Sequence, residues 1–160
     1  MESTQRASLA VELIELIAKG NAHMPFEYAI ENIPTHLRLA RPDKLPYSIW
    51  SLVEHIRITQ WDIVEFCSSA EHVSPKWPDE YWPAPSEALT DVDWETSINQ
   101  IIHDRERFFE LLRDEKNNLL LPFEYGTGQN LFREAVLIAD HTSYHTGQII
   151  LIRRLLNNWK

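Results

Sequence analysis

Apolar residues recur along this chain at three- and four-residue spacing over long stretches, with few alternating segments, and that period predicts an all-α fold. Four main helices follow. The first covers about Thr4 to Lys19, with Leu9, Leu13, Leu16 and Ile17 on one face and Gly20 as its stop. The second starts at Ser48, a good N-cap, and runs to about Phe66 through Ile49, Leu52, Val53, Ile56 and Ile63. The third begins in the acidic segment Asp91-Val92-Asp93, which suits a helix N-terminus, and continues to about Lys116. Its core stripe reads Trp94, Ile98, Ile101, Ile102, Phe108, Phe109 and Leu112. The fourth, from about Leu131 to Asn158, follows the breaker run Gly126-Thr127-Gly128 and takes Asn130 as its cap. At a rise of 1.5 Å per residue it would span roughly 40 Å.

Two connections are long, Asn21 to Tyr47 and Cys67 to Thr90, and long connections permit parallel neighbours. The expected architecture is therefore a four-helix bundle with long crossover connections rather than an up-down-up-down array. Short helical pieces are expected in the first connection around Phe26 to Glu31 and Pro34 to Leu39. The second carries Trp77-Pro78, Tyr81-Trp82-Pro83 and Pro85, and an aromatic loop of this length is packed or functional rather than a free linker. With no internal repeat and no composition shift, residues 1–160 read as one domain.

Composition narrows the setting. A charged fraction of 24% and a hydrophobic fraction of 44% match a soluble globular protein. No apolar run approaches the ~20 residues of a transmembrane helix, and residues 1–10 lack the features of a signal peptide, so a cytoplasmic location without membrane contact is expected. The net charge of -9 argues against nucleic acid, which is bound through clustered Lys and Arg. Arg153-Arg154 complements a helix C-terminus instead. Cys67 is the only cysteine, which excludes an intrachain disulfide and any multi-cysteine metal site and reads as a small core residue. A bound metal must use nitrogen and oxygen ligands.

The fourth helix carries the anomaly. Its core stripe runs Leu131, Ala135, Ile138, then His141 and His145, and resumes with Ile149, Ile152 and Leu156. Residues four apart lie about 40° apart around a helix and ~6 Å along it, so both imidazoles can face one ion. A third ligand would come from a facing helix. His103 shares its face with Asn99, Glu106 and Glu110, a solvated stripe; His55 lies beside Leu52 and Ile56 and lines up with Thr59 and Asp62, which makes it the better candidate. His23, His36 and His72 fall in connections and are read as bystanders. The pair His141-Thr142-Ser143-Tyr144-His145 lacks the glutamate of a zinc metalloprotease, the Glu-x-x-His pairs of di-iron bundles are absent, and no phosphate loop or nucleophile elbow is present.

The segments Leu45-Pro46-Tyr47-Ser48-Ile49-Trp50-Ser51-Leu52-Val53-Glu54-His55 and Asp140-His141-Thr142-Ser143-Tyr144-His145-Thr146-Gly147-Gln148-Ile149, with Arg153-Arg154-Leu155-Leu156 trailing, resemble the two signature regions of the DinB superfamily of bacterial proteins. The resemblance covers almost the whole chain. It implies a four-helix bundle with crossover connections and a divalent metal on His55, His141 and His145. Members similar to this chain include transferases and isomerases that use low-molecular-weight thiols, metal-dependent hydrolases, and proteins without a known activity.

Two functions stay open. One is a metal-dependent thiol transferase or hydrolase, in which the ion keeps open positions where a water or thiol loses a proton and a small-molecule substrate enters beside it. The other is a non-catalytic module in which the ion staples the second and fourth helices; a fourth protein ligand would favour it. Three imidazoles accept zinc or nickel, the working choice, and also iron or copper. Glu134 and Gln148, each seven residues from His141, would contact a ligand, support the site or lie at the surface. Six tryptophans are more than a small core hides, which predicts a homodimer, with the alternative that the 67–90 loop folds back as a lid. Gly147 costs about 1 kcal/mol in mid-helix relative to Ala, which predicts a close backbone approach, from the first helix or from a partner.

Overall fold

The computed structural model describes residues 2–84 and 88–159; Pro85 of the aromatic loop lies outside them. The described residues are all-helical, without strands. In chain order the helices are α1 (Ser3–Lys19), α2 (Phe26–Ile30), α3 (Thr35–Arg38), α4 (Ile49–Ser68), α5 (Asp91–Arg113) and α6 (Leu131–Leu155), with a single 3-10 turn at Asp79–Tyr81 between α4 and α5. None is long and apolar enough to cross a membrane.

Local chemistry sets the ends. Gly20, at φ 67°, takes the left-handed conformation that closes α1, and its N–H bonds the Leu16 carbonyl. Ser48 starts α4 with a capping box: its Oγ accepts from the Ser51 N–H at 3.2 Å, and its own N–H donates to Ser51 Oγ at 2.7 Å. Thr90 and Asp93 do the same for α5, and Asn130 Oδ1 accepts from the Arg133 N–H at 2.9 Å to start α6. α5 and α6 each end about three residues before the periodicity suggests. At α5 the buried Arg6 of α1 collects the released carbonyls, donating to Leu112 O and Asn117 O at 3.0 Å each and also to Asp114 O. At α6 the chain turns through Asn157 at φ 56°, and Arg153 Nε donates to Asn158 Oδ1 at 3.0 Å.

The four long helices pack as neighbours: α4 lies against both α5 and α6, and α1 also lies against both, while the short α2 covers α6. Two apolar clusters fill the interior. One gathers Leu13, Ile63, Phe108, Leu112, Leu131 and Ile138; the other gathers Phe26, Leu52, Ile56, Ile101, Ile149 and Ile152. Along α4 the first cluster resumes only at Ile63 after the second ends at Ile56, and along α6 the gap runs from Ala139 to Ile149. The buried residues in that gap are polar, among them Gln60, Asp62, Asp104 and Thr146. Ile102, expected in the α5 stripe, is 41% exposed: it follows Ile101 by one residue, so a 100° rotation carries it off the buried face.

Because the Ser48 cap starts the helix that carries this middle layer, Ser48→Ala should destabilise the fold by about 1 kcal/mol, lowering the melting temperature by roughly 2–4 °C. Calorimetry on the purified variant checks this.

Candidate metal centre

α4 supplies His55 and α6 supplies His141 and His145, in the gap between the two apolar clusters. His55 is deeper than its boundary position suggests, 2% exposed, because the chain after α4 folds back over it. His145 is buried and His141 half-buried. One nitrogen from each imidazole lies within 4.8 Å of the others, and the Nε2 atoms of His55 and His141 are 3.1 Å apart. Two nitrogens held ~2.0–2.1 Å from one ion at angles of 90–110° lie about 2.9–3.4 Å apart, so this spacing fits. No carboxylate or thiol joins the group among the described residues.

Neighbours fix which nitrogen is free. His55 Nδ1 donates to the Tyr81 carbonyl at 2.7 Å, leaving the Nε2 lone pair directed into the cluster. Trp82 lies flat on the same imidazole, centroids 4.0 Å apart and planes 5° from parallel. His145 Nδ1 donates to Gln148 Oε1 at 2.7 Å, and Gln148 Nε2 in turn donates to the Tyr47 hydroxyl at 3.2 Å. Gln148 is thus a support for His145. The supports on His55 went unread in the sequence, since one is a backbone carbonyl and the other a loop indole. The loop carrying them is anchored below: the Tyr81 hydroxyl donates to Asp62 Oδ2 at 2.5 Å, and His72 Nε2 sits 2.7 Å from Asp62 Oδ1.

Electrostatics keep the three rings neutral. Burial lowers the pKa of His55 against the opposing Tyr81 bond, and burial lowers that of His145 with His55 adding to it. His141, buried and facing the other two imidazoles, is pushed down to about 3. Neutral imidazole is the ligating form. Burial also raises Glu134, which is 4% exposed, close to Asp62 in charge terms, and not at the surface; its Oε1 has no hydrogen-bond partner among the described residues. Burial pushes the Cys67 thiol up, as suits a core residue. His103 and His36 are exposed, and His23 hydrogen-bonds Ser143 Oγ at 2.7 Å.

The tryptophans find partners within the chain. Trp94 is core and packs with Trp50, Trp61 takes the edge of His72, Trp82 covers His55, and Trp159 lies under the Arg153 guanidinium. Trp77 is 71% exposed. Tyr81 and Trp82 of the 67–90 loop therefore lie against His55, while Trp77 is left open to solvent. Of the two sources expected for a close approach at Gly147, the first helix is excluded. A Cβ there would meet nothing within 4 Å, so α1 makes no close approach.

A family model described as the DinB superfamily matches residues 21–149, a span that holds all three histidines and omits α1. No curated protein and no solved structure matches the chain.

The lowered histidine values have a signed consequence for the metal-free protein. Unfolded histidine titrates near ~6.5, so below that pH the unfolded chain binds protons that the folded cluster refuses. The stability these neutral rings contribute is fully present above pH ~6.5 and is lost as pH falls toward the folded values. Melting temperature under chelator should drop between pH 7 and 5, and His141→Phe should flatten that drop; equal slopes for both proteins would contradict the assignment.

Proposed function

This chain belongs to the DinB superfamily, and we propose that it binds one divalent transition metal through the Nε2 atoms of His55, His141 and His145 for a reaction of the thiol-transferase or hydrolase type. The observation that carries the reading is the convergence of three neutral imidazoles, each Nδ1 of His55 and His145 already committed to another partner. Zinc or nickel suits an all-nitrogen donor set. When bound, such an ion supplies Lewis acidity and lowers the pKa of a water or thiol that reaches its open side. The protein's part is to orient the ligands: Tyr81 and Gln148 hold two of the rings, and Trp82 excludes water from one face of His55.

The enzyme is favoured over a helix staple because no fourth protein ligand accompanies the three histidines among the described residues. Half-buried His141 marks the side from which a small substrate would approach. The scaffold is read as a four-helix bundle with long crossover connections, supported by α1 and α4 each packing on both α5 and α6. A cytoplasmic setting belongs to the same proposal, consistent with the single free cysteine.

Metal analysis of the purified protein should return one ion per chain, and His145→Ala should abolish it; an unchanged stoichiometry refutes the triad. Removing the ion should lower the melting temperature, because a ligand of the folded state alone stabilises it by mass action. A panel of low-molecular-weight thiols with electrophiles, and of esters and amides, tests catalysis by the loaded protein. Metal binding with no turnover on the whole panel would favour the staple.

A further inference from the structure

A helix on the outside of a protein ordinarily turns charged and polar residues to water. α6 does not. Its outward face carries Val136, Leu137, Tyr144, Leu151 and Leu155, between 39% and 65% exposed, on a helix whose other face is already packed in the core. Exposed Gly147 lies in the middle of this face, and a Cβ there would meet nothing of its own chain within 4 Å. In mid-helix, glycine is unfavourable relative to alanine, and its benefit is a close approach of another backbone.

The charged residues on the same face are placed symmetrically about that glycine. Asp140 lies seven residues before Gly147 and Arg154 seven after, each about 10 Å away along the axis and all within about 40° of one another around it. Both are exposed, and neither side chain has an ion-pair or hydrogen-bond partner among the described residues. Two copies of α6 crossing antiparallel at Gly147 would set Asp140 of each opposite Arg154 of the other, with Tyr144 and Leu151 meeting across the twofold axis. That arrangement is isologous and closed, as a C2 dimer requires.

We infer that the outer face of α6 is a homodimer interface, in which two chains pair antiparallel about Gly147 with reciprocal Asp140–Arg154 ion pairs. The occupant is a second copy because the charge pattern is complementary to itself. The inference stands apart from the metal, although Tyr144 touches His145, so the interface runs along the rim of the histidine cluster.

Light scattering at micromolar concentration should give twice the 18.8 kDa chain mass. Leu151→Glu should return the mass of one chain. Asp140→Arg, which sets like charges opposite each other twice, should weaken association at least about tenfold, and the exchange Asp140→Arg with Arg154→Asp should restore it. Gly147→Gln improves helix propensity yet should also weaken association, whereas a glycine with no interface role would leave it unchanged. Helical circular dichroism and metal content, retained in every variant, separate lost association from lost fold. A wild-type monomer overturns the inference, as does a dimer indifferent to these substitutions or one that the charge exchange fails to restore.

Discussion

The interior of this protein is organised around a layer it cannot make apolar. Between the two hydrophobic clusters, α4 and α6 face each other through imidazoles, and Gln60, Asp62, Asp104 and Thr146 occupy the same level. A buried polar atom without a hydrogen bond costs on the order of 1–3 kcal/mol, so such a layer must satisfy itself. Much of it does: Gln60 Nε2 donates to the Ile101 carbonyl at 2.6 Å, and Asp104 accepts from Gln100 at 2.8 Å and pairs with Arg107. His55 and His145 satisfy their outer nitrogens in the same way. The inner nitrogens of the three rings face one another: His55 Nε2 and His141 Nε2 lie 3.1 Å apart, joined when neutral His141 carries its one proton on Nε2, and a divalent cation would take the place of that proton.

The same layer explains why the centre was legible. His141 and His145 interrupt an apolar stripe that is intact on both sides, and a buried stripe tolerates such an interruption only where the polar groups have partners. His55 was separable from His103 because His103 shares its face with Asn99, Glu106 and Glu110, whereas His55 lies beside the apolar Leu52 and Ile56. Caps at Gly20, Ser48 and Asn130 were readable for an equally local reason, since each depends on one side chain or one φ.

What escaped the sequence lies where no period operates. Tyr81 acts on His55 through its carbonyl, which every residue possesses, and Trp82 acts through a register that only the folded loop defines. Arg6, a charged residue of α1, is buried where the last turn of α5 leaves carbonyls without partners. Gly147 calls for a close neighbour in the sequence, and only the fold tells that α1 does not supply one, since the space around it is open.

The flat contact between Trp82 and His55 gives the protein an optical gauge of its own centre. An indole 4.0 Å from the His55 imidazole would sense any ion that this imidazole held. An open-shell ion such as nickel or copper would quench the emission of so near a neighbour, while closed-shell zinc would leave it bright. The share of the emission that comes from Trp82 would then tell an open-shell occupant from a closed-shell one in an unlabelled sample, with no substrate required.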